Sequence, residues 1–139
     1  MQTETGVEAQ IREALARFND LVSTKDLRVL DEFVADDVVI LVGSEDGEVA
    51  AGGQELQVFF ARIFARDAAF SWEWDRVEIF HQGSIAWFFA DGQVVLTTSE
   101  GQQRMPYRTS GVLEHQDGRW LWRQYHGAEP AGRAGKNSV

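Results

Sequence analysis

The sequence predicts an α+β fold, with three amino-terminal helices packed on a strongly curved, mainly antiparallel sheet that closes into a cone-shaped barrel. Two observations carry this reading. Apolar residues recur at helical spacing as far as Phe64, whereas from Phe70 onward aromatic and β-branched residues fill runs divided by glycine-bearing turns. Helices first and then a meander of long strands is the order of an α+β domain, not of alternating βαβ units. Long strands twist and curl, helices cover the concave side, and the apolar mouth of such a cone is a natural small-molecule pocket.

Each element follows from its own residues. Within residues 5 to 24, Val7, Ile11, Ala14, Leu15, Phe18 and Val22 stand three and four apart and mark an amphipathic helix. Thr3 and Thr5 are its expected caps. Asp26 is placed to cap a short second helix whose inner side carries Leu27, Leu30, Phe33 and Val34. Asp36 and Asp37 end it and release a strand, Val38 to Val42, followed by an acidic, glycine-rich loop from Gly43 to Gly53. Leu56, Phe59, Phe60, Ile63 and Phe64 give the third helix one heavily apolar face. The strands FSWEWDRVEIF and SIAWFFADGQVVLTT then meet across His81-Gln82-Gly83, and Ser99-Glu100-Gly101 turns the chain into a closing hairpin.

That hairpin, Tyr107 to Gly127, carries the candidate site. Gln116-Asp117-Gly118 is read as a three-residue loop, which pairs His115 with Arg119. Counting outward, Glu114 faces Trp120, Val112 faces Trp122, Ser110 faces Gln124 and Arg108 faces His126 on one face. Thr109, Leu113, Leu121 and Tyr125 occupy the other. Both faces are partly apolar, so the sheet is expected to be covered on both sides, by helices on one and by a second subunit on the other. A homodimer through the Leu113, Leu121 and Tyr125 face follows.

Composition limits the function classes. A net charge of −9 argues against nucleic acid or an anionic membrane surface as partner, since both need basic patches. With no cysteine there is no disulfide, thiolate metal site or cysteine nucleophile. The first residues, MQTETGVEAQ, have neither a basic region nor an apolar run, and no apolar stretch approaches the roughly 20 residues needed to span a bilayer. The expectation is a cytoplasmic protein with one domain over residues 1–130 and a flexible tail over 131–139. The SEDGE loop lacks the ligand alternation of a calcium loop, and one pocket histidine without a second one or paired carboxylates makes no zinc or iron site. No phosphate loop, GxSxG elbow or Ser/His/Asp set is present, so neither a metal nor a cofactor is implied.

At the level of whole segments, FVADDVVIL, AWFFADG and YRTSGVLEHQDGRWLWRQYHGAEP resemble the SnoaL-like branch of the nuclear transport factor two-like superfamily, over about residues 5 to 130. The resemblance implies a cone-shaped barrel with a deep cavity that dimerises through the outer sheet face. It also implies diverse functions, among them isomerases, cyclases, dehydratases, epoxide hydrolases and non-catalytic assembly domains. The ketosteroid isomerases of that superfamily use a tyrosine on the first helix and an aspartate base on the first strand. Phe18 and Ile40 stand at those places here, and neither can donate to an oxyanion or take a proton. Steroid-type isomerase chemistry is therefore not expected.

The candidate catalytic pair is Arg108 and His126, with Trp74, Trp122, Gln124 and Asp91 as ligand-binding residues. Arg108 would hold an anionic oxygen in bidentate fashion and His126 would move a proton, while the tryptophans exclude water. The same residues have structural readings: an ion pair from Arg108 to Asp91 or Glu114, a histidine tied to a carbonyl or Glu129, and tryptophans that are simply core. Asp91 lies on the odd face by strict counting, and a bulge beside Gly92 would turn it inward. The ligand expected is a small apolar carbonyl or carboxylate compound. Two functions stand: an isomerase, dehydratase or hydrolase, or a ligand-binding or dimerisation module without turnover.

Overall fold

The computed structural model describes residues 4–131, with side chains over 6–131. The expected caps Thr3 and Thr5 and nearly all of the expected tail lie outside these limits. Helix α1 spans Glu4–Ser23 and buries Val7, Ile11, Ala14, Phe18 and Val22, the stripe that its spacing foretells. Asp26 caps the next segment as expected, its carboxylate accepting from the Arg28 amide at 2.9 Å. That segment is a 3₁₀ helix, Leu27–Glu32: Leu30 packs on the core and Phe33 and Val34 are buried as expected, but Val29 and Glu32 also point inward and Leu27 is exposed. Three residues per turn instead of 3.6 accounts for the change. Helix α2, Gly53–Phe64, buries Leu56, Phe59 and Phe60.

Six strands form one curved sheet: β1 (Ile40–Val42), β2 (Val49–Ala51), β3 (Ala69–Gln82), β4 (Ile85–Thr98), β5 (Gly101–Gln116) and β6 (Arg119–Ala128), in the order β2-β1-β6-β5-β4-β3. All neighbours are antiparallel except β1 and β6. Strand β2 stands where only a loop was expected, paired to β1 through Leu41 and Ala50. The expected Val38 to Val42 strand shortens to its last three residues, and Val38 is exposed.

Two turns are one residue shorter than the sequence reading has them. Gln116 pairs with Arg119 across Asp117-Gly118, both at positive φ (51° and 81°), as a two-residue type I′ turn demands. Gln82 likewise pairs with Ile85 across Gly83-Ser84. A bulge at Arg123 then shifts the register again, so Leu113 faces Trp122 but Val112 faces Gln124. Arg108 consequently pairs with Ala128, not with His126, whose partner is Ser110.

The core sits between the helices and the concave sheet face. Phe18 is its hub, with ring centroids 5.0 Å from Trp122, 5.5 Å from Tyr125 and 5.8 Å from Trp72. Leu113 and Tyr125 are buried in this core, so they cannot form the dimer face assigned to them. The convex face presents other aromatics instead: Phe80 and Trp87 stack at 6.0 Å and are 48% and 42% exposed. A buried Glu32 ties α1 to β6, accepting from Arg17 and Arg119, each at 3.2 Å. No described helix is long and apolar enough to cross a membrane.

Candidate functional site

A cavity of about 210 Å³ opens between α1, α2 and the concave face of the sheet. Its walls come from every layer of the fold. Helical spacing puts Phe18 and Val22 one turn apart on α1, and Phe59, Phe60 and Ile63 on one side of α2. Strand alternation supplies Phe70 and Trp72 from β3, Val94 and Leu96 from β4, and Met105 and Tyr107 from β5.

The polar floor consists of two phenols. Tyr107 and Tyr125 meet hydroxyl to hydroxyl at 3.3 Å, both buried. Glycine makes this possible: a Cβ on Gly127 would lie 2.0 Å from the Tyr107 hydroxyl. Burial pushes both phenols up, Tyr125 well above the ordinary value. Around Tyr107 the Tyr125 and Ser44 hydroxyls pull the other way, and the negative charges of Glu48 and Glu129 add to the rise. Both phenols are therefore neutral at neutral pH.

The mouth is acidic. Ser44 donates to Glu129 Oε2 at 3.0 Å, and Glu48 folds back over Gly43 to accept from the Glu45 amide at 3.1 Å. A Cβ on Gly43 would strike the Glu48 carboxylate, so glycine gives that side chain its place. Arg66 is the cation that lines the cavity, 3.9 Å from Glu45.

The residues singled out from the sequence divide between the two faces. Trp122 is buried in the core, and Trp74 stands beside it on the concave side. Arg108, Gln124 and His126 are exposed on the convex face, away from the cavity. Asp91 is the cross-strand neighbour of Arg108 on β4, and no ion pair joins them among the described residues. Glu114, the other suggested partner of Arg108, bonds Arg123 at 2.7 Å. The expected bulge beside Asp91 lies on the partner strand, between Trp74 and Arg76, where a Cβ on Gly92 would meet the Glu73 carbonyl at 2.1 Å. Gly92 thus admits the bulge and Asp91 stays on the outer side. Sequence reasoning missed Tyr107, Ser44, Glu48 and Glu129 as cavity residues. The one legible signal was that Thr109 and Tyr125 share a face.

A SnoaL-like domain profile matches residues 11–132. The chain belongs to the SnoaL-like family. Solved structures agree on the fold. One neighbour of this SnoaL-like chain is a putative dehydratase from the NTF2-like family of Streptomyces avermitilis, with a TM-score of 0.83 at 14% identity, covering 93% of this chain and 99% of that one. An NTF2-like superfamily protein from Salmonella enterica serovar Typhimurium superposes with a TM-score of 0.80 at 14% identity, over 99% and 100% of the two chains. A protein from Catenulispora acidiphila, solved in complex with S-DNPA, has a TM-score of 0.78 at 15% identity, over 91% and 95%. No curated protein matches the chain by sequence.

Proposed function

We propose that the cavity of this SnoaL-like domain binds one small, largely apolar molecule whose polar end is uncharged or cationic. The observation that carries this reading is an aromatic chamber with two neutral phenols at its floor and carboxylates at its mouth. Its volume lies below the roughly 300–1,000 Å³ of pockets for drug-sized ligands, so the ligand is small. Tyr107 and Tyr125 offer a hydrogen bond to a carbonyl or hydroxyl, and Glu48 and Glu129 attract a positive end. The same carboxylates repel an anion, Arg66 in the cavity wall already has Glu45 at 3.9 Å, and Arg108, the group expected to hold an anion, is on the other face of the sheet. The complex of the Catenulispora neighbour with S-DNPA supports ligand binding by the fold.

Turnover is a second reading, favoured by the partly buried Glu48 at the cavity mouth as proton acceptor and by Tyr107 as donor. It fits isomerisation or dehydration, and the Streptomyces neighbour bears the name of a putative dehydratase. A second copy of the chain is proposed to cover the convex face at the exposed Phe80 and Trp87 stack.

The test is calorimetric titration with one arylalkyl skeleton carrying in turn an amine, an alcohol and a carboxylate. The amine and alcohol should bind, the carboxylate most weakly, and Tyr107→Phe should weaken the alcohol about tenfold, as for one lost hydrogen bond in a dry site. Tightest binding by the carboxylate, or none by any of the three, would refute the reading.

A further inference from the structure

Behind the floor of the main cavity lies a second chamber of about 10 Å³, bordered by Phe18, Trp72, Thr109, Trp122 and Tyr125. Two indole nitrogens of its lining residues, Nε1 of Trp72 and Nε1 of Trp122, are buried without a hydrogen-bond partner among the described residues, and the buried Oγ1 of Thr109 has only the Tyr125 hydroxyl close by. Trp122 is 1% exposed and Thr109 3%, so bulk solvent does not serve them. The chain provides for a buried indole elsewhere, since Trp120 Nε1 donates to Gln10 Oε1 at 2.8 Å. Buried polar groups are as a rule hydrogen-bonded, and among the described residues those that carry the unpartnered atoms all border the same small space.

The backbone sets this arrangement. Thr109 and Gly111 alternate inward on β5, and a Cβ on Gly111 would lie 2.7 Å from the Trp122 ring. Glycine there seats the indole against the strand. The chamber has about the room that one water oxygen needs, roughly 10–15 Å³.

We propose that the inner chamber is a binding site for a single water molecule, which accepts from both indole N–H groups and donates to Thr109 Oγ1. The donor count dictates that orientation: an indole N–H can only donate, so two indoles engage both lone pairs of the water. Water held in this way is a hydrogen donor and not a nucleophile, and it takes no part in hydrolysis. Phe18, Trp72 and Tyr125 line both cavities, so they form the partition between this water and any ligand in the outer one. A halide would also satisfy these donors. Among the described residues no cationic side chain lines the chamber, though, and a bare anion there would lose its hydration without a counter-charge.

The experiment is water–protein cross-relaxation by NMR on the ¹⁵N-labelled full chain, with the indole resonances assigned through Trp72→Phe and Trp122→Phe. The Trp72 and Trp122 indole protons should show the negative cross-relaxation of a water that tumbles with the protein. Trp120, bonded to Gln10, should show none. Thr109→Val should reduce both signals at least fivefold while Thr109→Ser, which keeps the hydroxyl, retains them. Absence of the signals at Trp72 and Trp122, or their full survival in Thr109→Val beside an unchanged Trp120 resonance, would overturn the proposal. So would a shift of both indole resonances when bromide replaces chloride, which would identify a halide instead.

Discussion

Tyr107 and Tyr125 are the two tyrosines of the chain, and their surroundings are unequal in a way that makes a double-mutant cycle informative. The two hydroxyls meet at 3.3 Å and both side chains line the cavity, but Tyr107 has Ser44 beside it at the mouth, whereas Tyr125 reaches the inner chamber and has Thr109 beside it. Tyr107→Phe leaves the buried Tyr125 hydroxyl with Thr109 as its remaining neighbour, at a cost of about 1–3 kcal/mol. Tyr125→Phe removes the buried group itself and leaves Tyr107 able to turn to the cavity, costing about 0.5–1.5 kcal/mol. The double variant no longer has a hydroxyl to strand, so it should lose less than the sum, with a coupling of roughly 0.5–1.5 kcal/mol. For 139 residues, an unfolding entropy of about 2.1 cal/mol/K per residue converts each kcal/mol into roughly 3 °C of melting temperature. Calorimetry and denaturant midpoints read both quantities. Equal losses for the two single variants, or strict additivity, would refute the assignment of Tyr125 as the dependent partner.

The same pair fixes an alkaline limit. Both folded-state phenols lie above their ordinary value of 10.0, so the stability due to the neutral forms is complete below pH 10. As the pH rises past 10, the unfolded chain ionises first and that stability is lost. Phenolate absorbance should therefore rise together with the loss of folded circular dichroism. A phenol that titrates near pH 10 in a chain still folded would contradict the burial argument.

Other expectations concern separate parts of the molecule. Arg123 holds Asp36 at 2.6 Å and Glu114 at 2.7 Å and lowers both carboxyl pKa values, so their stabilising effect is present above about pH 4.5 and is lost as the pH falls further; Glu114→Gln should flatten the acid limb of the stability–pH curve. Gly127→Ala should push the Tyr107 hydroxyl off Tyr125 and reproduce the binding loss of Tyr107→Phe, which titration of the alcohol ligand reads. Gly92→Ala meets backbone instead of a movable side chain and should destabilise by more than about 1–3 kcal/mol in denaturant melts. If a second copy covers the convex face, Trp87→Lys should weaken dimerisation about 30-fold, the effect of a hot-spot tryptophan worth about 2 kcal/mol, with little change in monomer melting; sedimentation of the parent chain as a monomer at micromolar concentration would remove the premise.

Much of the fold was legible because the helix stripes and long strands are local patterns. Val7 through Val22 spell out one face of α1, and alternation from Phe70 onward spells out strands whatever their pairing. Strand β2 was hidden because Val49–Ala51 is short and pairs only with β1, inside a run rich in acidic residues and glycine. The 3₁₀ register of Leu27–Glu32 depends on Glu32 reaching Arg17 and Arg119, contacts 15 and 87 residues away that no local spacing announces.

The residues expected to form the site fall outside the cavity for a reason that can be followed one by one. Beyond the bulge, Arg108, Ser110, Gln124 and His126 do share one face, as alternation requires. What made that face look like a pocket was the presence of Trp120 and Trp122 on it by the same count. One extra residue, Arg123, reverses the alternation between Trp122 and Gln124, so both indoles join Leu113 and Tyr125 on the concave side. The bulge is held by long-range contacts: Arg123 reaches Asp36 and the Val38 carbonyl, and the Val34 amide donates to the Trp122 carbonyl at 3.0 Å. None of these is visible in the hairpin itself, because they arise where the segment leading into β1 docks against β6. A bulge commonly re-aims side chains, and here it gathers the aromatic residues of β6 behind Phe18 and leaves Gln124 and His126 on the convex face. The concave Trp122 and Tyr125 and the convex Gln124 and His126 are thus two consequences of one inserted residue.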